Sequence, residues 1–259
     1  MDNKISVIIN TYNAERYLAQ VLESVAHFDE VVICDMESTD QTIDIANKYG
    51  CKIITFPKKT IKIVEPARQQ AIEAAKNSWV LVIDADEIVT SHLCHYLYER
   101  ISDPNCPSGL YVSRKNFFMG RILKCLYPDP QLRFLKKDSV KWPPIIHARP
   151  VVYGNVGKIP AKRTELALVH LDENSVYSRV ERINRYTEYE IEKKLHKNYG
   201  TFALFWRPFY RFFKRFIIDG GFFDGKRGFI YAYLDAAYQL VTIAKLLEQK
   251  QQQTTLDTR

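Results

Sequence analysis

Through roughly the first hundred residues, short runs of aliphatic and β-branched residues at 5–10, 31–35, 52–56 and 79–84 alternate with stretches of helical apolar spacing. That alternation constrains the fold more than any other feature, because it predicts strands laid parallel with helices returning over the sheet. The run WVLVID (79–84) is continuous rather than alternating, as in a strand covered on both faces. Between the runs, Tyr17, Leu18, Val21, Leu22 and Val25 share one face of a helix over 14–26. Ser38, Thr39 and Asp40 cap a second helix that runs through 49, and Pro66 opens a third over 66–76. The expectation is an α/β fold with a doubly wound sheet and a Rossmann-like nucleotide half, whose ligands sit outside the carboxyl ends of the strands.

The fourth run ends in Asp84, Asp86 and Glu87. Three carboxylates at the end of a buried strand need a cation, and a divalent metal carrying a polyphosphate fits that place. Period-two spacing puts Asp84 and Asp86 on one side of an extended chain, with the small Ala85 between them. The bland alternative is a solvated turn, or the start of a helix from Thr90. No Gly-x-Gly-x-x-Gly follows the first strand and no P-loop occurs, so phosphates must be neutralised by another device, and a metal on the acidic cluster is the available one.

With 259 residues, 46% of them hydrophobic, the chain can bury a substantial core in one large domain or a domain plus an appendage. No apolar run of about eighteen residues and no signal-peptide design is seen, so the expected location is the cytoplasm. The five cysteines include no Cys-x-x-Cys pair, which fits free thiols in a reducing compartment. His92, Cys94 and His95 crowd together, but neighbours on a helix point different ways and do not make a zinc site. A net charge of +7 favours an anionic partner.

From Gly109 the pattern changes to short strands at 110–112, 132–135, 151–153 and 166–170, broken by prolines, as in a mixed sheet completing a cleft. The expected division is a catalytic domain over 1–171, with a nucleotide-binding half over 1–103 and an acceptor half over 104–171, and a helical region over 172–259. In that region Arg207, Arg211, Lys214 and Arg215 recur at helical spacing opposite Phe209, Phe212, Phe213, Phe216 and Ile217, so a basic amphipathic helix is read as beginning at Pro208. Its basic side could face water or the headgroups of an anionic membrane, which would make the protein peripheral on the inner membrane face. No nucleic-acid motif accompanies it. A last apolar helix over 231–247 packs on its neighbours or on a second subunit, and the Gln-rich end from Gln249 is expected to fray.

Taken together, these residues resemble the family 2 glycosyltransferases of the GT-A fold, and within them the lipopolysaccharide-core glucosyltransferase branch. The opening ISVIINTYNAE (5–15) looks like the family's first strand and nucleotide loop, and VVICDMESTDQT (31–42) is similar to its base- and ribose-binding segment. PARQQA (66–71) matches the arginine-bearing helix start, IDADE (83–87) the metal motif, and YPDPQLRF (127–134), His147, His170 and GFFDGKRGF (221–229) follow in the branch's order. The resemblance implies an inverting, metal-dependent transfer of a hexose, glucose in this branch, from a UDP-sugar to a hydroxyl of a glycan or glycolipid acceptor of the bacterial envelope.

It assigns the nucleotide to Thr11, Tyr12, Asn13, Glu15, Asp35, Arg68, Asp84 and Arg133, with Arg68 toward phosphate and Arg133 toward the acceptor. Mg²⁺ or Mn²⁺ falls to Asp86 with Asp84 and His170. The base is Asp129, held between two prolines, or else His147; as a plain turn aspartate, Asp129 would have no such role. Two positions depart from the branch. Met36 and Glu37 stand where small residues are usual, and Glu37 would repel a diphosphate unless it points outward; Ala148 replaces a Glu. A catalytically impaired nucleotide-sugar-binding scaffold is the alternative those departures leave open. A sugar nucleotidyltransferase would need a Gly-rich loop that the chain lacks.

Overall fold

The computed structural model describes residues 3–57, 64–144, 149–171 and 175–257. They fall into two compact units, one formed by 1–115 and 128–171, the other by 116–127 and 172–259.

In the first unit the chain runs β1 (Ile5–Thr11), α1 (Glu15–Ser24), β2 (Glu30–Asp35), α2 (Thr42–Lys48), β3 (Lys52–Thr55), α3 (Glu65–Ala74), β4 (Trp79–Asp84), β5 (Glu87–Ile88) and α4 (Ser91–Ile101). Next come β6 (Gly109–Phe118), β7 (Arg121–Ile122), β8 (Asp129–Lys136), β9 (Val140–Lys141), β10 (Val151–Val152), β11 (Val156–Lys158) and β12 (Leu168–His170), of which β7 belongs to the second unit. The main sheet has the order β3-β2-β1-β4-β8-β6-β12-β5. Strands β1 to β4 are parallel, whereas β8 runs antiparallel to both β4 and β6. The expected doubly wound mixed sheet is present.

Successive residues of β1 and β4 enter opposite cores. Ile5, Val7, Ile9, Leu81 and Ile83 pack with Leu18 and Leu22 of α1 and with Leu93 and Leu97 of α4. Ile8, Val80 and Val82 pack with Ala67, Ala71 and Ile72 of α3. Each such fully buried aliphatic side chain contributes about 1.5–3 kcal/mol. Two-sided burial of β1 and β4 keeps their middles apolar and puts polar groups such as Asn10, Thr11 and Asp84 at their carboxyl ends. Thr90 caps α4 by accepting a hydrogen bond from the Leu93 N–H at 3.1 Å, so the helix start does not use Asp84, Asp86 or Glu87.

The second unit contains the β6–β7 hairpin end and three helices, α5 (Val176–Lys194), α6 (Ala203–Phe213) and α7 (Gly225–Asp257), with a wide π turn over Lys214–Ile218. Three expectations are corrected here. Helix α6 begins at Ala203 and passes through Pro208, giving up the backbone bond to the Leu204 carbonyl, while Phe212 and Phe216 hold the following turns against Phe229 and Tyr233 of α7. Helix α7 continues past Gln249 to Asp257 instead of fraying. Arg211 and Arg215, read on the outward basic side of this helix, turn toward α7 instead: both donate to the buried Asp235, at 2.9 and 3.1 Å, and Arg179 approaches the same carboxylate at 3.6 Å. A buried carboxylate left without a counter-charge is strongly destabilising, so Asp235 on α7 keeps these guanidinium groups beside it and sets the rotation of α6. A Cβ on Gly228 would collide with the Gly221 carbonyl oxygen, so the contact of α7 with the turn before it requires glycine there.

Candidate active site

The loops after β1 and β2 are latched to each other. Asn13 adopts a left-handed conformation (φ 49°), its N–H donates to Ser38 Oγ at 2.9 Å, and its side-chain oxygen accepts the Thr39 N–H at 2.8 Å. Glu15 accepts the Gln41 N–H at 3.0 Å, and its own N–H donates to Asp40 at the same distance. Asp35 is buried and accepts from Thr11 Oγ1 (2.9 Å), the Ser38 N–H (2.9 Å) and Ser38 Oγ (2.5 Å). Thr11, Asn13, Glu15 and Asp35 are thus gathered at one strand end, with the Tyr12 ring half exposed beside them. Glu37, in the same loop, is half-buried with φ 62°, a conformation that costs a non-glycine residue about 1–2 kcal/mol.

Next to this loop, Asn10 lies in register between Cys34 and Asp84. Both polar atoms of its amide are buried, and neither has a hydrogen-bond partner among the described residues. A buried amide without partners costs about 1–3 kcal/mol, so Asn10 retains hydrogen-bonding capacity at this strand end.

At the end of β4 the cations are arginines. Arg68 Nη2 donates to Asp84 at 2.7 Å, and Arg133 Nη2 donates to Asp84 at 2.5 Å and to Glu87 at 2.7 Å. Arg114 donates to Glu87 at 3.0 Å and grips Asp129 through Nε at 3.0 Å and Nη2 at 2.9 Å. Three guanidinium groups therefore balance three carboxylates, with Glu87 and Arg133 buried beneath the other four. Burial alone would disfavour the charge on Asp84, but Arg133 and Arg68 beside it hold its carboxyl well below the usual carboxylate range. The Arg68 guanidinium also lies over the Trp142 ring, 4.9 Å from its centroid.

Two expectations change. The strand stops at Asp84, because the Glu87 carboxylate accepts the Asp84 N–H at 2.9 Å and folds residues 85–86 into a turn, so period-two spacing does not reach Asp86. Asp84 and Asp86 consequently have different partners, and the carboxylate of Asp84 is held by arginines.

Asp86 instead meets His170 Nε2 at 3.1 Å. Antiparallel pairing of β12 with β5 sets His170 opposite Glu87, and the Leu171 N–H donates to the Asp86 carbonyl at 2.7 Å, which brings together two side chains far apart in sequence. No group of three or more His, Cys, Asp or Glu side chains suited to a metal occurs among the described residues. The Asp86 carboxylate nonetheless fits Mg²⁺ or Mn²⁺, ions that take one or two protein carboxylates and complete their shell with water and substrate phosphate, and an imidazole beside it suits Mn²⁺ better than Mg²⁺.

The structure places Asp129 beside this cluster through Arg114, whose Cα pairs with it across β6 and β8. His147 and Ala148 lie outside the described residues. Arg133, expected at the acceptor, finds its partners in Asp84 and Glu87. Arg114 is the residue that sequence reasoning missed, and the available signal was an arginine within a strand that closes a cleft over carboxylates.

The family described as Glycosyl transferase family 2 matches residues 6–213. Among individual proteins, an uncharacterized glycosyltransferase of Rickettsia conorii is 28% identical over 264 residues, covering 96% of this chain and 91% of its own. The lipopolysaccharide core biosynthesis glycosyltransferase LpsC of Rhizobium meliloti is 25% identical over 252 residues, covering 94% of this chain and 92% of its own. Among solved structures, that of Staphylococcus aureus TarS is similar at 17% identity with a TM-score of 0.44, over 96% of this chain and 91% of that one.

Proposed function

We propose that this chain, which belongs to glycosyl transferase family 2 and is a glycosyltransferase, moves a hexose from a UDP-sugar to a hydroxyl of a bacterial envelope glycan or glycolipid with inversion at the anomeric carbon. The observation that carries the reading is the convergence of Asp86 with His170 next to an arginine-bound Asp84, all at the carboxyl edge of a parallel sheet. Lipopolysaccharide core as the acceptor is supported by the similarity to LpsC, a lipopolysaccharide core biosynthesis glycosyltransferase, and glucose as the sugar by the branch that the motifs resemble.

Asp86 and His170 would hold Mg²⁺ or Mn²⁺, and the ion, when bound, offsets charge on the departing diphosphate. Arg68, whose Asp84 partner is part exposed, supplies a guanidinium to a phosphate oxygen. Thr11, Tyr12 and Asn10 line the nucleoside end, with the Asn10 amide free to pair with a polar edge and the Tyr12 ring offering a stacking face. Arg133 lies beneath Asp84 and Glu87 and fixes both. Asp129 takes the proton of the acceptor hydroxyl on a carboxylate oxygen, oriented by the fork of Arg114 and by Gln131 Nε2 at 2.8 Å. His147 is the other group that could serve as base.

The test is turnover with a panel of UDP- and GDP-sugars and an envelope-glycan acceptor extract. UDP release that needs both a divalent ion and the acceptor supports the reading, and absence of release with every donor refutes it.

A further inference from the structure

Apart from Phe212, which packs on α7, the aromatic residues along α6 point outward. Phe202, Phe205, Trp206 and Phe209 are 74%, 72%, 53% and 61% exposed, and Phe213 is exposed one turn further on. Positions 202, 206, 209 and 213 share one face of a helix, about half a turn away from Arg211, which is held inward by Asp235. After the π turn, Phe223 is exposed as well, with Lys124 Nζ 5.2 Å from its ring centroid. Arg207, Lys124 and Lys226 are exposed in the same unit.

We propose that this outward aromatic face is a membrane-docking surface that inserts its rings among the headgroups of an anionic bilayer. Large contiguous apolar exposure marks an interaction surface, and Trp and Tyr, with a polar tip on an apolar body, suit the membrane interface. Charge selects the occupant. A second copy of the chain docked face to face would set cationic residues against cationic residues, whereas an anionic bilayer meets them with opposite charge. Because Asp235 withdraws Arg211 and Arg215, the rings supply the adhesion and the remaining cations supply the choice of surface. The inference rests on the glycolipid-acceptor reading for its biological purpose, but its test uses neither donor nor acceptor.

The experiment is co-flotation of the full chain with vesicles of mixed phosphatidylglycerol and phosphatidylcholine, from about 0.1 M to about 1 M NaCl, with tryptophan emission followed in parallel. Trp79 and Trp142 are buried, so a blue shift on vesicle addition reports Trp206. The wild type is expected to float at both salt levels with a blue shift. The double variant Phe205→Ser/Phe209→Ser is expected to lose affinity by about tenfold or more per ring while keeping the wild-type circular dichroism spectrum. Failure of the wild type to float, release at the higher salt, flotation of the double variant like wild type, or a wild-type dimer that the double variant splits would each overturn the proposal. Flotation as expected without any UDP-sugar turnover would leave the docking surface standing and remove the UDP-sugar reading instead.

Discussion

Arg68 donates to Asp84 at 2.7 Å, so the arginine assigned to the phosphate grips a carboxylate assigned to the nucleotide and the metal. A diphosphate competes with Asp84 for this guanidinium, and Arg133 remains to keep Asp84 ionised when Arg68 turns away. Arg68→Met is therefore expected to weaken UDP binding by about 1.5–3 kcal/mol, the usual worth of a charged hydrogen bond, without unfolding the protein. Calorimetric titration with UDP checks it, and unchanged affinity would take Arg68 off the phosphate.

Glu87 is fully buried and engaged by Arg114, Arg133 and the Asp84 N–H. Glu87→Gln leaves two guanidinium groups short of a counter-charge and is expected to cost about 3–5 kcal/mol, read from the urea midpoint. A loss below about 1 kcal/mol would mean that the cluster is solvated.

Glu37 sits at φ 62°, where glycine carries no Cβ penalty. Glu37→Gly is expected to raise stability by up to about 1 kcal/mol, strain relief partly offset by chain entropy. Glu37→Val should lower it. If both variants unfold at the wild-type midpoint, the left-handed conformation is not the one in solution.

The parallel half of the fold was legible because burying a strand on both faces demands an unbroken aliphatic run, and the cores fed by Ile8 and Ile9 follow from alternation alone. The arginine partners of β4 were not legible. Arg114 and Arg133 reach Glu87 from strands whose register is set by antiparallel pairing, which leaves no local spacing to read. The rotation of α6 was equally hidden, since it is decided by one aspartate, Asp235, on a later helix. His170 was singled out through family resemblance, while its approach to Asp86 comes from the pairing of β12 with β5.

Cys34 is fully buried, and burial, reinforced by the neighbouring Asp35 charge, pushes its thiol up to about 12 from an ordinary 9.0. The folded state thus resists losing this proton while the unfolded chain gives it up, so the associated stability is complete below pH 9.0 and drains away as pH rises toward about 12. Alkylation of native protein at pH 8 is expected to spare Cys34 and to modify it once urea is added. Rapid labelling without denaturant would show that the β2 core is open.

Asp129 is held by Arg114 in the orientation assigned to the base. Asp129→Asn is expected to lower kcat by about a hundredfold or more with UDP affinity unchanged. Near wild-type turnover in that variant would move the role to His147.

The most direct measurement is calorimetric titration of UDP into the wild type and Asp86→Asn, each with Mn²⁺ and with a chelator. UDP binding by the wild type is expected to need Mn²⁺ and to fall at least tenfold in Asp86→Asn, in keeping with the loss of one of two proposed protein ligands. Equal UDP affinity in all four titrations would contradict it.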